Sequence, residues 1–245
     1  MLTDGQSIVN HEETMTRIVK DPGIRRTEIL DAAERLLETK GYEQMTIQDI
    51  VNDLQIAKGT VYYYFPSKEA VLGALVTRMG EQMEHLLLPI VTDPHLSALE
   101  KLVRYFSASG QWKGAHQRFV HPFMSFWYAD QNAIIHRKLV RDGMQRFVPY
   151  LSQIIRQGVA EGIFTTGHPD QTARMIIALR QDLGDAVADV LRSSPDMPID
   201  PSLITKMTVA TAEALERLLG AKAGCVQDVW LEALSQWQTP SAPSI

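Results

Sequence analysis

The segment at residues 58–68, KGTVYYYFPSK, brings together side chains that suit contact with a nucleic acid. Lysines can neutralise phosphates, a glycine lets the backbone approach closely, and a threonine is small enough to reach a base edge. Tyrosines add rigid rings whose hydroxyls can bond a phosphate or a base. The candidate DNA-contacting residues in this segment are Lys58, Gly59, Thr60, Tyr62, Tyr63, Tyr64 and Lys68. Their combination favours recognition of DNA.

A helix that only builds a core is the alternative explanation for the tyrosines. Val61 and Phe65 lie four residues apart and are expected to be buried together. Three consecutive tyrosines, however, span too much of a helix's circumference for all of them to be buried. At least one or two should face solvent, where a bulky aromatic side chain needs a reason. The spacing therefore favours DNA contact over a plain core.

Two short helices are predicted to position these residues. Thr46, itself a candidate DNA contact, can cap a helix in which Asp49 takes the third position, as in a reciprocal capping box. The apolar pattern breaks at residues 55–57, a second helix begins near Lys58, and Pro66 ends it. Two helices joined by a tight turn, with the second able to enter the major groove of DNA, form a helix-turn-helix.

Two longer helices should support this pair. A helix over residues 24–40 carries an apolar stripe and stops at Gly41, where left-handed geometry is usual. Arg25 and Arg26 begin it and are further candidate contacts for DNA. Ser67 is a good cap for a connecting helix that runs to about residue 88 and leads into the rest of the chain.

From about residue 26 to residue 75 the chain resembles the TetR family of bacterial transcriptional regulators. The resemblance rests on ILDAAERLLETKGY, TIQDIV and KGTVYYYFPSKEAVL, in this order and without a gap. Family members often carry a histidine where this chain has Tyr64, so a histidine contact with phosphate does not carry over. The resemblance implies an all-α fold: a three-helix helix-turn-helix domain, joined by a long helix to a helical domain that binds a ligand and dimerises. In the family the connecting helix moves when ligand binds.

The overall composition is compatible with such a protein. The chain has 245 residues, of which 45% are hydrophobic, and a net charge of −5. Its single cysteine, Cys225, excludes an internal disulfide and suits a reducing cytoplasm. We find no signal peptide and no apolar run of about 20 residues, so we expect a cytoplasmic protein with no membrane contact. Because the net charge is negative, the field that attracts DNA must be local to residues 58–68, which hold two lysines and no acid.

Turn signals and the resemblance divide the chain into four predicted parts. These are a tail at 1–22, a helix-turn-helix domain at 23–68, an effector-binding and dimerisation domain at 69–238, and a disordered tail at 239–245. Pro89 and the pair at 93–94 mark a boundary after the connecting helix. Only helices are expected beyond it, at 96–113, 115–128, 131–161, 169–192, 202–219 and 226–237. An interruption of the third near Gly143 or Pro149 is left open.

Eight of the chain's 18 aromatic residues fall between residues 105 and 128. Such a cluster, with a few polar side chains, suits a mainly apolar ligand pocket. A plain aromatic core is the alternative, and the family resemblance favours the pocket. The candidate ligand-binding residues are Phe106, Trp112, Phe119, His121, Phe123, Met124, Trp127, Tyr128, Arg180 and Gln181. His136 and Asp182 are further polar candidates on later helices.

The helices predicted at 169–192 and 202–219 have broad apolar faces and small residues that allow close approach. Burial within one chain is one explanation. The resemblance implies the other, a homodimer in which these helices pack into a four-helix bundle across a two-fold axis. A dimer would place two reading helices about 34–36 Å apart, as a palindromic operator requires.

No arrangement typical of an enzyme is found. His116 and His121 are five residues apart, whereas a helical metal pair needs four, and there is no GxSxG or CxxC motif. Arg180, Asp182 and Asp185 are interpreted as a solvated or dimer-facing charge set. We therefore expect no catalysis, no metal and no cofactor.

The sequence thus predicts a ligand-responsive, sequence-specific DNA-binding regulator of transcription. By family tendency it is a repressor, released from a palindromic operator in double-stranded DNA by a small hydrophobic or aromatic effector. The alternative is a DNA-binding structural or partner-recruiting protein without a small-molecule effector, in which the aromatic cluster is core.

Overall fold

The computed structural model describes residues 21–116, 118–119, 123, 126–129, 132–193 and 201–226. Regular structure in these residues is entirely helical, which confirms the all-α prediction. Eight helices have their bounds within the described residues: α1 (Pro22–Gln44), α2 (Ile47–Leu54), α3 (Lys58–Tyr64), α4 (Lys68–Thr92), α5 (Ala98–Ala115), α6 (Ala133–Ala160), α7 (Pro169–Ser193) and α8 (Pro201–Leu219). Among these eight, none is both long and apolar enough to cross a membrane. The predicted helix at 226–237 and the two predicted tails lie outside the described residues, except for residues 21, 22 and 226.

Helix α1 begins two residues before its predicted start, because Asp21 and Pro22 form a strong N-terminus. The Asp21 carboxylate accepts a hydrogen bond from the Gly23 amide at 2.7 Å, and the fixed φ of proline suits the first helical position. Gly41 breaks the helix as predicted, with a φ of 74° in the region that favours glycine. A short last turn then places Tyr42 against the core.

Helix α4 continues through Pro89 for three more residues and ends at Thr92, so the predicted boundary lies at the pair 93–94 and not at Pro89. Pro89 lies in the last turn, where it removes one backbone hydrogen bond but still accepts one from the Asp93 amide at 3.1 Å. Burial of Leu87 and Val91 compensates for the lost bond. The buried Lys101 ammonium donates to the Val91 carbonyl at 2.8 Å and so satisfies the helix end.

Helix α6 is continuous through both Gly143 and Pro149, which settles the question that the sequence left open. Gly162 follows its end with a φ of 73°, in the region that favours glycine. Near that end the chain folds back so closely that a methyl group on Gly158 would lie 2.1 Å from the Phe164 ring. This close approach leaves room only for a glycine at residue 158, where the chain turns from α6 toward α7.

Two apolar cores organise the molecule. The first, which we call the head core, is formed by α1–α4 and includes Leu37, Ile50 and Val61. The second, the body core, packs α4–α8 around residues such as Ile154 and Leu215. The aromatic cluster predicted from the sequence is divided between them: Tyr105 and Phe106 belong to the body core, whereas Trp112, Phe119, Phe123 and Phe126 belong to the head core. The middle of the chain therefore packs directly against the helix-turn-helix.

Candidate nucleic-acid interface and ligand region

The helix-turn-helix is fixed by local caps. The Thr46 hydroxyl accepts from the Asp49 amide at 3.1 Å, and the Asp49 carboxylate accepts from the Thr46 amide at 2.9 Å, which completes the predicted capping box. Gln55 ends α2 in the left-handed region, with φ 51° and ψ 44°. This residue turns the chain into α3, which begins at Lys58 as the sequence predicts.

The Asp49 carboxylate also joins α2 to α1. Lys40 Nζ lies 2.6 Å from its Oδ1 atom. Hydrogen bonds from Lys40 and Thr46 lower the pKa of Asp49 to about 2. Arg35 likewise pairs with Asp53 of α2 at 2.7 Å. Both acids of α2 are therefore matched by cations of α1, so their charges oppose DNA less than free carboxylates would.

Helix α3 buries one face and presents the other to solvent. Val61 and Phe65 are buried, as predicted. Tyr63 is 81% exposed and Tyr62 is 44% exposed, whereas Tyr64 is half-buried with its ring at 5.0 Å from that of Tyr63. The expectation that at least one or two of the tyrosines face solvent is confirmed.

The polar start of α3 lies on the same exposed side. Lys58 and Gly59 are exposed, and Thr60 is half-buried. Lys58 Nζ lies 5.9 Å from the centre of the Tyr62 ring, within the range of a cation–π contact. The structure thus brings a cation, an open backbone and two phenol rings onto one short helix.

The other predicted DNA contacts are placed differently. Arg26 is exposed, with its guanidinium carbon 5.2 Å from the centre of the Phe65 ring, so it lies beside the end of α3. Arg25 is paired with Glu28 at 2.7 Å. Lys68 turns inward: its ammonium donates to the Tyr42 carbonyl at 2.6 Å and lies 4.0 Å from the Tyr42 ring. Burial lowers the pKa of Lys68, and its role in this structure is to hold the start of α4 on the head core.

Helix α4 is tied to both halves of the molecule. Arg78 pairs with Asp31 at 2.5 Å and also with Glu34, both on α1. Six residues further along α4, Glu84 accepts hydrogen bonds from Arg146 at 2.5 Å and from the Tyr150 hydroxyl, both on α6. If α4 moves relative to α1 and α6, one of these two sets of ionic contacts must break, or the helix that makes it must move together with α4.

A second connection runs through Tyr42, a residue whose role the sequence did not reveal. Its ring meets Phe126 edge-on with centroids 5.3 Å apart, and its hydroxyl accepts from the Asn132 amide group at 3.3 Å. The same amide group donates to the Phe126 carbonyl at 3.0 Å. Tyr42 therefore touches the aromatic segment on one side and Lys68 of α4 on the other.

Most of the predicted ligand-binding aromatics fill a core in this structure. The Phe123 ring lies 5.6 Å from Phe119, 5.2 Å from Phe126 and 5.7 Å from Trp127. Trp112 stacks on His116 with centroids 4.2 Å apart. Phe106 lies apart from these rings, under the guanidinium of Arg180 at 5.5 Å, and Arg180 also donates to the Ser109 hydroxyl. His121 and Met124 lie outside the described residues.

At the edge of the aromatic segment the structure assembles a polar group, which we call the α6–α7 cluster: Tyr128, His136, Gln181 and Asp185. Asp185 Oδ1 accepts from the Tyr128 hydroxyl and from Gln181, each at 2.8 Å. This half-buried carboxylate is thus bonded within the chain, whereas the sequence interpretation is a solvated or dimer-facing charge set. The His136 ring lies 4.3 Å from Trp127 and 6.1 Å from Tyr128. Spacing along one helix could not reveal the cluster, because its members come from three segments.

Two family models match separate parts of the chain. Residues 29–75 match the model described as bacterial regulatory proteins, tetR family. Residues 127–187 match the model described as a tetracyclin repressor-like C-terminal domain. The second match lies beyond residues 26–75, the stretch that carries the resemblance in the sequence.

Similar proteins include two regulators described as HTH-type transcriptional regulator EthR. The one from Mycolicibacterium smegmatis is 32% identical over 90 residues, which cover 35% of this chain and 42% of that protein. The one from Mycobacterium tuberculosis is 28% identical over 143 residues, which cover 51% of this chain and 66% of that protein. The matches thus span less than two thirds of either relative. A solved transcriptional regulator from Cytophaga hutchinsonii shares the fold, with a TM-score of 0.59 and 18% identity over 82% of this chain and 98% of its own.

Proposed function

The chain belongs to the TetR family of bacterial regulatory proteins, and from this premise we propose that it is a sequence-specific DNA-binding regulator of transcription. We assign it the role of a repressor that a small hydrophobic effector releases from a palindromic operator. The observation that carries the proposal is the exposed face of α3, where Tyr63 is 81% exposed. Contact with DNA would cover these large phenol rings and so accounts for their exposure in the free protein.

Direct readout is assigned to Lys58, Gly59, Thr60, Tyr62 and Tyr63 on α3. Lys58 contributes the phosphate contact, and the tyrosines reach a base or phosphate from the exposed face. Arg26, exposed beside the end of α3, adds a further phosphate contact. Thr46, Tyr64 and Arg25 support the surface from its edge. Lys68 acts indirectly, because its ammonium orients Tyr42 and the start of α4.

The proposal is tested by selecting bound sequences from a random DNA pool at stated salt. Enrichment of a palindrome with half-sites about one turn apart, roughly 34–36 Å, is expected for a dimer of this kind. The Tyr63→Ala variant, which lacks one of the proposed contacts, should enrich the same palindrome weakly or not at all. If protein freed of small molecules by unfolding and refolding enriches no sequence, the proposed function is wrong.

The homodimer is proposed to form through α7 and α8. These helices border an open apolar groove lined by Met175, Ala178, Leu179, Asp182, Ala214, Arg217 and Leu218. Met175 and Leu203 are exposed large apolar side chains on these two helices. A second copy packed there would cover them and place an acid and an arginine at the rim of the contact. Sedimentation of wild type against Leu179→Glu checks this, and a monomer in the wild type contradicts it.

Effector release is proposed to act through the two connections of the head core. An effector that moves residues 126–128 would displace Phe126 against Tyr42, and Tyr42 holds Lys68 at the start of α4. Helix α4 would then shift between its ionic contacts with α1 and α6. The two reading helices of the dimer would lose the spacing that the operator requires. Effector binding and dimerisation are thereby both functions of the domain beyond residue 68.

A panel of hydrophobic compounds distinguishes this function from a DNA-binding protein without an effector. A regulator should gain thermal stability from some member of the panel, and that member should weaken operator binding. Trp127→Ala should alter the response to the compound more than it alters DNA affinity. An equal loss of both would indicate a folding defect, and no response to any compound would favour the structural or partner-recruiting alternative.

A further inference from the structure

Building on the effector response proposed above, we propose that the effector is an aromatic molecule whose polar head donates a hydrogen bond, and that His136 and Asp185 receive it. The α6–α7 cluster supplies the acceptors and Trp127 supplies the wall. The effector is thus an aromatic hydrogen-bond donor, and His136 and Asp185 select it.

The first observation is an unsatisfied atom. His136 Nε2 is buried and has no hydrogen-bond partner within the described part of the chain. An unpaired polar atom in such a place costs free energy, so folded proteins retain one where something else completes it. An N–H or O–H of a ligand can donate to Nε2 when the ring proton is on Nδ1.

The second observation is the shape of the surroundings. The His136 ring is tilted against Trp127 at 4.3 Å, and Tyr128 meets it nearly perpendicularly at 6.1 Å. Trp127 and Tyr128 are both half-buried, unlike the buried Phe126 beside them. Half-exposed aromatic faces around one polar atom form a binding surface for a flat apolar body with a single polar head.

The charge of Asp185 determines which kind of polar head can bind beside His136. Asp185 holds the hydroxyl of Tyr128 and the amide of Gln181 on one carboxylate oxygen, and its negative charge acts on His136. Burial outweighs this charge and lowers the pKa of His136, so the imidazole is neutral and can accept. A ligand carboxylate would be repelled by Asp185, whereas a hydroxyl or ammonium group would be attracted. Within the described residues Asp185 is the charge that acts on His136, while the guanidinium of Arg180 contacts the Ser109 hydroxyl and the Phe106 ring.

Four naphthyl probes test the inference by calorimetric titration of the full chain. 2-Naphthol is a neutral donor, 1-naphthylmethylamine is a cationic donor, naphthalene lacks a polar head, and 2-naphthoate is an anionic acceptor. Both donors should bind at least about tenfold more tightly than naphthalene and 2-naphthoate, as expected when one buried acceptor is satisfied. The ranking of the two donors then distinguishes an alcohol-type effector from an amine-type effector.

Two substitutions locate the preference. His136→Phe keeps a ring against Trp127 but removes the acceptor, and Asp185→Asn keeps the shape but removes the charge. Each should abolish most of the preference for donors, and His136→Phe should leave naphthalene bound as well as before. His168→Phe and Asp142→Asn, at exposed positions, are matched controls that should keep the preference. Equal binding of naphthalene and 2-naphthol, no binding of any probe, or a preference that survives in both cluster variants overturns the inference.

Operator binding by the same preparations, without probe, separates this inference from the proposed function. If the wild-type chain binds an operator but shows no preference among probes, only the effector class is wrong. If it prefers donors but binds no operator, the site stands and the regulatory function fails. Melting curves of each variant show whether a lost preference reflects a lost fold, and in that case the surviving cluster variant decides.

Discussion

The reading head, residues 22–64, and the aromatic segment that packs against it, of which residues 112–116, 118–119, 123 and 126–129 are described, are stabilised in different ways. The head is built from contacts between residues close in sequence: the capping box at Thr46 and the ion pair of Lys40 with Asp49 span three and nine residues. The aromatic segment depends on distant partners, since Phe126 meets Tyr42 and Tyr128 meets Asp185 across 57 residues. A surface that is fixed by local contacts can keep its shape when distant contacts change, whereas a segment held by distant partners changes with them.

The two regions nevertheless share one core, and the largest expected effect tests this. Phe126 is buried in the head core although it lies outside the reading head. Phe126→Ala should lower the free energy of unfolding by about 3–5 kcal/mol, as for other buried phenylalanines, because a cavity opens between the regions. Chemical denaturation at fixed protein concentration measures it, and Leu88→Ala, at an exposed position on α4, is the control. A separate early transition that leaves the head unaffected would show that the regions are independent.

The next effect should be confined to the surface of the head. Tyr63→Ala should weaken operator binding by about 1–3 kcal/mol without loss of stability, because the ring is exposed and touches little of the chain. Tyr63→Phe removes only the hydroxyl, so the difference between the two variants separates ring contact from hydrogen bonding. Titration with operator DNA at fixed salt provides the measurement. Unchanged affinity in Tyr63→Ala would remove this residue from the interface.

The same contrast explains what the sequence could reveal. Thr46, Gly41 and Ser67 are local signals, and the start of α2, the break in α1 and the start of α4 follow from them. The joint at Tyr42 has no such signal, because Asn132 approaches its hydroxyl from 90 residues away. Helix α4 passes Pro89 for a related reason: burial of Leu87 and Val91 beside it outweighs the local preference of proline.

The candidate site also combines features that the sequence predicts with features that depend on distant contacts. The exposed tyrosines of α3 could be predicted, because three consecutive side chains cannot share one buried face of a helix. The inward turn of Lys68 could not, since it depends on a carbonyl 26 residues earlier. Neither could the role of Asp185, which becomes an acceptor only when α7 lies beside Tyr128. Sequence spacing carries information about a face, whereas a pocket requires the packing of several faces.

A smaller effect should follow when a local cap of the head is removed. Thr46→Ala takes away the hydroxyl that accepts from the Asp49 amide, and loss of such a cap costs about 1 kcal/mol of stability. Thr77→Ala is the matched control, because its hydroxyl only bonds the carbonyl one turn back on α4. Thermal unfolding of both variants measures the difference. If Thr46→Ala is as stable as the control, the cap does not hold the head and distant packing must do so.

The smallest effect concerns acid. The pKa of Asp49 falls from 3.8 to about 2 on folding, because Lys40 and Thr46 bond the charged form. A carboxyl group whose pKa is lowered by folding stabilises the fold at any pH above its pKa in the unfolded chain. This stabilisation is lost as the pH falls from about 4 toward about 2. Asp49→Asn should therefore be less stable than wild type at neutral pH and should lose less stability in this window, whereas Asp142→Asn should behave as wild type. Unfolding midpoints at constant ionic strength provide the test. Parallel acid curves for Asp49→Asn and wild type would mean that the bonds to Asp49 do not stabilise the head, and the local origin of its stability would then rest on the apolar contacts of α1 with α2.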